Sequence, residues 1–396
     1  MNKRVSITLS RQAFAHNVRA ISSLTGDQSL ALVIKSNAYG HGISQIASFA
    51  EELSAISFLC TAGISEALPL RKQGITKPIL VLSYFEGDIK EAVIHGFHMS
   101  VSSLSQAQAL SVAAQSVGTR VYIHVKIDTG MGRLGVLPAD AVMTIKALSQ
   151  LPLINVYGVF THLCDTGHDD HAYSLQQLAA FDEVLEDLEA AGIKIPCTHA
   201  QSSSSLDLIP KRKYSFIRAG ASLYGLWKNP NQQMLIKRRD PSFDLIPVIE
   251  WKAPIIQIKK VPSGSFIGYN RKFVTKRPTH LAIVPVGYFD GYTRALSNKG
   301  MAHFKGYRVP VIGIVSMNLT SFDVTDVPSV QVGDELILMG DYEGIRPHEI
   351  AHTASCITNE IATGINPVIE RTIVPFHEKN TVEQPFTKII AQPIIF

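Results

Sequence analysis

The feature that most constrains the fold of this chain is a regular alternation of short apolar segments with longer helix-like segments between residues 29 and 225. The helix-like stretches include 42–53, 103–117, 138–150 and 171–192, the last with the clearest helical spacing of apolar residues. Strands that alternate with helices form parallel βαβ units, and eight strands favour a (β/α)8 barrel over an open doubly wound sheet. The predicted strands are 30–34, 56–60, 79–83, 97–101, 121–127, 154–160, 195–199 and 215–220.

The pattern changes beyond residues 228–247, a segment rich in Pro, Asn and charge that we interpret as a linker. Strand-like segments separated by Gly and Pro turns follow, and only 348–354 and the stretch after it have a helical pattern. We therefore predict an α/β protein with an N-terminal TIM-like barrel, residues 1–235, and a C-terminal mainly β domain, residues 236–396. The first residues, a short strand and an amphipathic helix, could pack with the second domain.

Composition narrows the classes of partner. Hydrophobic residues make up 46% and charged residues 18% of the chain, as in ordered soluble proteins. The net charge of +4 comes from dispersed Lys and Arg, which argues against nucleic-acid binding. The N-terminus lacks the apolar core of a signal peptide, and no apolar run is long enough to cross a bilayer. The four cysteines are scattered, which favours a reducing compartment, so we predict a cytoplasmic protein without nucleic-acid or membrane partners.

Polar residues gather at the ends of the predicted barrel strands. Because the active site of this fold lies at the carboxyl ends of the strands, these residues should meet at one mouth of the barrel. They are Lys35 after the first strand, Lys126, Asp128 and Arg133 at or after the fifth, His162 after the sixth, His199 and Ser202 after the seventh, and Arg218 and Gly220 at the eighth.

Lys35 is the sharpest single signal among them. It ends an apolar strand in the segment IKSNAYGHG, and burial lowers the pKa of a lysine and makes its amine nucleophilic. A strand-end lysine that simply reaches solvent is the commoner situation. The glycine-bearing polar loop that follows, from Tyr39 to Gly42, could approach a ligand closely and so favours a functional role.

Two further segments suggest anion binding. The loops after strands seven and eight, the usual phosphate site of this barrel, read HAQSSSS and RAGAS, with hydroxyls at Ser202 and backbone N–H groups near Gly220. In KIDTGMGRLG, Arg133 could hold a carboxylate in a bidentate manner or be a surface residue. A metal is not predicted, because THLCDTGHDDH, residues 161–171, matches no metal-binding spacing, and His162 could be a core histidine. VSMNL, residues 315–319, has the pattern of a buried strand.

Seven segments, in order, resemble the alanine racemase family. They are ALVIKSNAYGHG, HVKIDTGMGRLGV, GVFTHLCDT, the HA-Q-S segment, IRAGASLYG, VPVGYFDGYTR and VGDELILMG. The resemblance spans nearly the whole chain and implies a barrel that binds pyridoxal 5'-phosphate (PLP), followed by a β domain. The implied activity is the interconversion of L- and D-alanine for D-alanine biosynthesis.

By this resemblance, Lys35 holds PLP and exchanges a proton on one face of the substrate Cα, while Tyr288 serves the opposite face. Tyr288 comes from the partner subunit in the family, which implies a homodimer with shared sites. A phenol is a poor base at neutral pH unless tuned, and the family offers a hydrogen-bonded chain of Tyr288, His162, Arg218 and His199. Arg218 faces the pyridine nitrogen and keeps its own proton, which restrains transamination.

The remaining roles are also those that the resemblance implies. Tyr39, Ser202, Gly220 and Ala221 match positions that hold the phosphate. Arg133 matches a residue that supports the cofactor phenolic oxygen and the substrate carboxylate, and Met317 matches a backbone contact from the partner subunit to the substrate. Lys126 matches a lysine that is often carbamylated and orients that arginine.

The chain departs from the family pattern at three places. Ser316-Met317-Asn318 replaces Cys-Met-Asp, Thr358-Asn359-Glu360 replaces Pro-Tyr-Glu, and Gln201 replaces an asparagine. In the family, the tyrosine at the position of Asn359 narrows the pocket. With the smaller Asn359, the pocket could admit substrate side chains larger than methyl. A broader-specificity or serine racemase is therefore an alternative, as are a PLP-dependent decarboxylase, a non-catalytic PLP-binding protein and a sugar- or phosphate-binding barrel. This chain shows no match to the C-terminal signatures of the decarboxylases. A non-catalytic PLP-binding protein would be a lone barrel, which the predicted β domain argues against.

Overall fold

The computed structural model describes residues 4–85, 87–166 and 171–374. The chain divides into two compact units. The first, which we call the barrel unit, comprises residues 13–248 together with 357–363. The second, the β unit, comprises the described residues of 1–12, 249–356 and 364–396. The short segment 357–363 therefore belongs to the barrel although it follows most of the β unit in sequence.

Seventeen strands lie in the described residues. In chain order they are β1 (Ser6–Leu9), β2 (Ser29–Val33), β3 (Ile56–Thr61), β4 (Ile79–Val81), β5 (His98–Val101), β6 (Val121–Lys126), β7 (Ile154–Phe160), β8 (Cys197–His199), β9 (Phe216–Ala219), β10 (Ile249–Pro254), β11 (Gln257–Val261), β12 (Thr279–Val284), β13 (Met301–Phe304), β14 (Tyr307–Pro310), β15 (Thr320–Asp323), β16 (Glu335–Met339) and β17 (Arg371–Ile373).

The helices of the described residues fall into two kinds. Those assigned as α are α1 (Arg11–Leu24), α2 (Lys35–Tyr39), α3 (Ile43–Glu51), α4 (Ile64–Lys72), α5 (Ile89–Ile94), α6 (Leu104–Val117), α7 (Ala141–Ser149), α8 (Ala172–Ala190), α9 (Pro230–Arg239), α10 (Pro347–Ala354) and α11 (Thr358–Thr363). Short 3-10 helices cover Pro138–Asp140, Ser203–Ser205, Ala221–Tyr224, Tyr269–Arg271, Tyr288–Asp290 and Arg294–Leu296.

The predicted barrel is confirmed. Its eight parallel strands are ordered β8-β7-β6-β5-β4-β3-β2-β9, and each predicted segment overlaps one of them. The two end strands of this order are linked, because Ser215 N donates to Thr198 O at 2.8 Å and Arg218 N donates to Gln201 O at 3.1 Å. Strand residues such as Ala31, Val33 and Cys60 pack inside the barrel, which explains their near-continuous apolar sequence.

The predicted linker at 228–247 is wrong in part, because α9 occupies Pro230–Arg239. Asn229 caps this helix by accepting a hydrogen bond from Gln232 N at 2.8 Å, and Pro230 stands at its first position. Ile236 is fully buried. The charge and proline content concealed a helix that starts with ordinary signals and is anchored in the barrel unit.

The β unit consists of two sheets of mainly antiparallel strands. One has six strands in the order β14-β13-β16-β10-β1-β17, and the other has three in the order β11-β12-β15. β1, from the N-terminus, pairs antiparallel with β10 and parallel with β17. The predicted helix at 348–354 is present as α10, and Trp251 and Phe322 are fully buried.

The predicted strand at VSMNL is wrong. Residues 315–319 form a loop before β15, in which Met317 is 54% exposed although Val315 is buried. Apolar runs of this length do not distinguish a strand from a loop that turns its side chains outward. Residues 167–170, part of the histidine- and aspartate-rich segment considered for metal binding, lie outside the described residues.

Candidate active site

A cavity of about 550 Å³ opens at the carboxyl ends of the barrel strands. Most of the residues predicted from the strand ends line it together with a wall from 357–359. Predicted residues in the lining are Lys35, Tyr39, Lys126, Arg133, His162, Ser202, Arg218, Gly220 and Ala221. His199 lies behind this surface, fully buried, and reaches the cavity through Arg218.

Lys35 follows β2 and begins an unusual turn. Residues 36–39 all have φ between 52° and 54°, so α2 is a left-handed turn made of residues other than glycine. Such a turn is costly and needs support. The backbone N–H of Ser36 donates to Glu66 Oε1 at 2.6 Å, and a Cβ on Gly40 would lie 2.0 Å from the carbonyl oxygen of Ala362. The lysine therefore sits on a turn that is held from two sides.

The cavity is strongly basic. Lys35, Lys126, Arg133, Arg218 and Lys228 line it, and no described lining residue is acidic. Burial, followed by the charge of Arg133, lowers the pKa of Lys35, which favours the neutral amine. Burial, with the charges of Arg133 and Arg218, lowers the pKa of Lys126 to about 8. Such a cavity suits an anionic ligand that reacts with an amine.

Arg218, at the end of β9, is the centre of a buried hydrogen-bond chain. Its NH1 donates to His199 Nδ1 at 2.6 Å, and its NH2 lies 3.2 Å from His162 Nδ1. NH2 also donates to the carbonyl oxygens of Thr161 and Ala200, at 2.8 and 3.0 Å. Burial lowers the pKa of Arg218 to about 10 and those of both histidines well below the usual value. The histidines are thus neutral acceptors around a single cation.

The loops after β8 and β9 form a cradle of small polar groups. Ser203 Oγ accepts hydrogen bonds from Gly220 N at 2.8 Å and from Ser222 N at 3.3 Å, which joins the two loops. Ser202 Oγ lies 2.9 Å from Ser204 Oγ. A Cβ on Gly220 would lie 2.9 Å from the Tyr39 hydroxyl oxygen, so only glycine leaves room for that ring. Burial raises the pKa of Tyr39 to about 12 and keeps it a hydrogen-bond donor.

Arg133 is presented by a loop that Asp128 organises. The Asp128 carboxylate accepts hydrogen bonds from the backbone N–H groups of residues 130–133 at 2.8 to 3.1 Å. Burial alone would raise the pKa of Asp128, but these donors lower it. The loop returns to β6 because Asp128 N donates to Val136 O and Val136 N to Lys126 O. Arg133 itself is exposed at the mouth of the cavity.

The remaining predicted residues, Tyr288 and Met317, lie in the β unit and adjoin one another. Tyr288 N donates to Ser316 O at 3.0 Å, and Phe289 N donates to Met317 O at 3.0 Å. A Cβ on Gly287 would lie 2.2 Å from Ser316 O, so this approach requires glycine. The side chains of Tyr288 and Met317 are 43% and 54% exposed. Their contact with the barrel residues stays a prediction.

Sequence reasoning missed several residues that shape the site. Ser203 joins the two phosphate-type loops, Glu66 holds the turn after Lys35, and Phe160 lies under the Arg218 and Lys126 cations at 5.4 and 5.8 Å from its ring centre. Glu66 follows β3 and could have been included by the strand-end rule, whereas Ser203 was hidden in a serine run.

Fold and site together define a class of (β/α)8-barrel enzymes. In this class a buried lysine amine faces a basic cavity, and the loops after the last two barrel strands provide small polar groups suited to a phosphate. Two family models match the chain, "Alanine racemase, N-terminal domain" over residues 9–228 and "Alanine racemase, C-terminal domain" over residues 248–373. The chain belongs to the alanine racemase family.

Relatives and solved structures agree with this assignment. An alanine racemase from Desulfosudis oleivorans is 38% identical over 375 residues, which cover 91% of this chain and 94% of that protein. The alanine racemase structure from the D-cycloserine producing Streptomyces lavendulae has a TM-score of 0.87 and 30% identity, with 95% of this chain and 98% of that one covered. An alanine racemase from Bartonella henselae, with a TM-score of 0.80, 25% identity and coverages of 94% and 100%, has covalently bound pyridoxal phosphate.

The helices in the described parts of the chain are too short or too polar for any of them to traverse a bilayer.

Proposed function

We propose that this chain is a PLP-dependent racemase that interconverts L- and D-alanine. The observation that carries the proposal is the pairing of Lys35, whose pKa is lowered by burial, with a basic cavity that has no acidic residue in its described lining. A neutral amine at this place is suited to an aldehyde, and the surrounding cations suit a phosphate and a carboxylate.

The residues present fit PLP group by group. Gly220 leaves space beside the Tyr39 hydroxyl, and a Cβ would fill that space. Ser202, Gly220, Ala221 and Tyr39 would hold the phosphate, at the place where barrels of this type bind one. Arg218, which donates to neutral acceptors, would donate to the pyridine nitrogen. When bound, PLP supplies an electron sink that stabilises negative charge at the substrate Cα.

Racemisation requires a proton to move on both faces of that carbon, which one base cannot reach. Lys35 Nζ would act on one face of Cα and take the proton from the D-isomer. The Tyr288 phenolic oxygen would act on the other face and take the proton from the L-isomer. Arg133 would bind the substrate carboxylate, and the Met317 backbone would add a second contact to the substrate.

Lys35 and Tyr288 lie in different compact units, the barrel unit and the β unit. We propose that the protein acts as a homodimer in which Tyr288 and Met317 of one protomer complete the barrel cavity of its partner. Exposure of the Tyr288 and Met317 side chains in the single chain supports this proposal. We place the protein in the cytoplasm, in a role that supplies D-alanine.

Lys126 is a candidate for carbamylation. A neutral lysine amine attacks the carbon of carbon dioxide and releases a proton, which leaves a carbamate anion. With a pKa of about 8, Lys126 has a substantial neutral fraction near neutral pH. The carbamate would replace a repulsive charge beside Arg133 with an attractive one and so orient that guanidinium for its ligand.

A racemase of broader specificity is the second candidate. Asn359 lines the cavity and is exposed, so it leaves the entrance wider than a larger side chain would. Comparing kcat/KM for L-alanine, L-serine and L-lysine distinguishes the two candidates. In the Asn359→Tyr variant, we expect turnover of the two larger substrates to fall relative to that of alanine. An unchanged ratio would exclude Asn359 as a determinant of specificity.

The proposal is tested by purifying the full-length protein with added PLP and measuring its visible spectrum and its production of D-alanine from L-alanine. We expect the absorbance band of lysine-bound PLP, and its loss in Lys35→Ala. The matched control is Lys146→Ala, which removes an exposed lysine of α7. A band that persists in Lys35→Ala would refute the role of Lys35. A band without racemisation of any of the three amino acids would indicate a PLP-binding protein without catalysis.

A further inference from the structure

Three histidines, on β8, β6 and β5 of the barrel, continue the hydrogen-bond chain of Arg218 away from the cavity. His199 Nε2 lies 3.0 Å from His124 Nδ1, and His124 Nε2 lies 3.0 Å from His98 Nδ1. All three imidazoles are buried, with His98 the most exposed at 8%. The hydrogen-bond chain therefore runs from Arg218 at the cavity through the histidines of β8 and β6 to that of β5.

Arginine fixes which nitrogen donates and which accepts at each step of this hydrogen-bond chain. A guanidinium has only donors, so its NH1 obliges His199 Nδ1 to accept. A neutral His199 then carries its proton on Nε2 and donates it to His124 Nδ1. By the same argument, His124 carries its proton on Nε2 and donates it to His98 Nδ1. One fixed donor thus determines the tautomers of three rings.

The neutral state of the rings follows from their surroundings. Burial lowers the pKa of His98 to about 4, and burial with neighbouring charge lowers the pKa of His124 and His199 well below the usual value. Phe58 packs edge-on against His98 and His124, and Phe160 and Phe216 stack on the two sides of His199. None of the described residues places a carboxylate against Arg218 or these rings.

We propose that His98, His124 and His199 form an aligned chain of Nε2-protonated imidazoles that replaces a carboxylate as the partner of Arg218 and positions its guanidinium. The acceptor end of every ring points toward the cation, so the ring dipoles stabilise the positive charge without neutralising it. A carboxylate in the same place would bind the guanidinium donors tightly and compete with a ligand for them. His98 and His124 are thus positioning residues, and only Arg218 borders the cavity.

A glycine in β7 supplies independent support. A Cβ on Gly158 would lie 2.3 Å from His124 Nδ1 and 2.9 Å from its Cγ. Glycine inside a strand weakens it and marks a close approach. The absence of a side chain at Gly158 therefore leaves the space that the His124 imidazole, the central ring of the hydrogen-bond chain, occupies.

The same atoms could be considered a metal site, since His124, His199 and Cys197 have ligand atoms within 4.8 Å of one another. The geometry favours the hydrogen-bond chain instead. The ring nitrogens that would face the ion already share a hydrogen bond, and Arg218 lies 2.6 Å from the outer nitrogen of His199. Burial raises the pKa of the Cys197 thiol to about 11, which opposes the thiolate that a metal needs.

The test is tautomer assignment by NMR on the full-length protein without added PLP, labelled with 15N in histidine. We expect all three chain histidines to be neutral with the proton on Nε2. His41 is an internal contrast, because its Nδ1 faces two carbonyl oxygens at 2.9 and 3.0 Å and must donate. Single His→Asn variants assign the signals, and where one fails to fold, the His→Gln variant at the same position takes its place. A proton on Nδ1 of any chain histidine in the wild type would overturn the proposal.

A second measurement tests whether Arg218 sets the direction. In Arg218→Met the obligate donor is gone, so we expect at least one chain histidine to show its proton on Nδ1 or exchange between tautomers. The matched control is Arg212→Met, which removes an arginine paired with Glu189 on the surface and should leave the tautomers unchanged. Three unaltered tautomers in Arg218→Met would refute the directing role of Arg218. The proposal relies on the proposed function only for the ligand of Arg218, and both measurements are independent of racemase activity.

Discussion

The hydroxyl oxygen of Tyr39 occupies the space that a side chain on Gly220 would need, because a Cβ there would lie 2.9 Å away. We therefore expect Gly220→Ala to push the Tyr39 ring from its place. Overpacking of this kind costs about 1–3 kcal/mol, which corresponds to a rise of roughly fivefold to 150-fold in the Kd for PLP.

The measurement for Gly220→Ala is a PLP titration followed by absorbance. Tyr39→Phe removes the atom nearest to the added Cβ, so Gly220→Ala should raise the Kd less in a Tyr39→Phe background than in the wild type. Equal affinity of the Gly220→Ala variant and the wild type would show that Tyr39 and Gly220 do not border the phosphate.

Mixing two inactive variants tests whether the active site is shared between protomers. Lys35→Ala and Tyr288→Phe should each lose nearly all racemase activity. If the sites are shared, a mixed dimer contains one intact site, so random exchange restores about a quarter of wild-type activity. Each variant refolded alone is the control. If Lys35 and Tyr288 of the same protomer acted together, both chains of the mixed dimer would be defective and no activity would return.

Carbamylation of Lys126 should depend on pH and on Arg133. The reacting form is the neutral amine, so modification should increase as the pH rises through about 8, the pKa of Lys126. Arg133→Met removes a charge that lowers this pKa, so the increase should move to higher pH. The check is 13C NMR of the carbamate in protein equilibrated with labelled carbon dioxide. Lys126→Arg, which cannot form the carbamate, identifies the signal, and a signal that survives in this variant would assign the modification elsewhere.

The buried histidines should make the protein sensitive to acid. Their pKa values in the folded protein are depressed, to about 4 for His98, so the unfolded chain binds more protons between that value and about 6.5. Stability contributed by the neutral rings is fully present above about pH 6.5 and is lost as the pH falls toward 4. From pH 7 to pH 5 the His98 ring alone should lower the free energy of unfolding by about 2 kcal/mol.

Urea unfolding at the two pH values measures this loss. His98→Asn keeps an acceptor near the position of Nδ1 but cannot titrate, so its loss between pH 7 and pH 5 should be smaller than that of the wild type by one ring's contribution. An identical pH dependence in the two proteins would mean that His98 is not held neutral in the folded state.

The barrel was predictable because most of its strand residues are buried, so the strands stand out as compact apolar runs such as 56–60 or 79–83. The strand-end rule then gathered Lys35, Arg133 and Arg218 around one cavity. What the pattern could not give depends on contacts between distant residues. Glu66 binds the backbone of Ser36, and α9 was concealed because its polar composition resembles a connection.

The prediction of a strand at residues 315–319 was wrong for a related reason. Its apolar residues suggest burial, but Met317 is exposed, and only the close approach of Ser316 O to Gly287 shows that the loop is built to adjoin Tyr288. The histidine chain was likewise invisible, since His98, His124 and His199 are far apart in sequence. Each occupies an inward strand position where the pattern predicts an apolar residue.

Residues 357–363 pack into the barrel unit although most of the β unit precedes them in the chain. They supply Asn359 to the cavity wall and the Ala362 carbonyl that abuts Gly40. A fragment ending at residue 248 would therefore lack the brace behind its reactive lysine. The barrel unit is thus not one contiguous piece of sequence, and a fragment that keeps this brace must also carry the residues of the β unit that lie between 248 and 357.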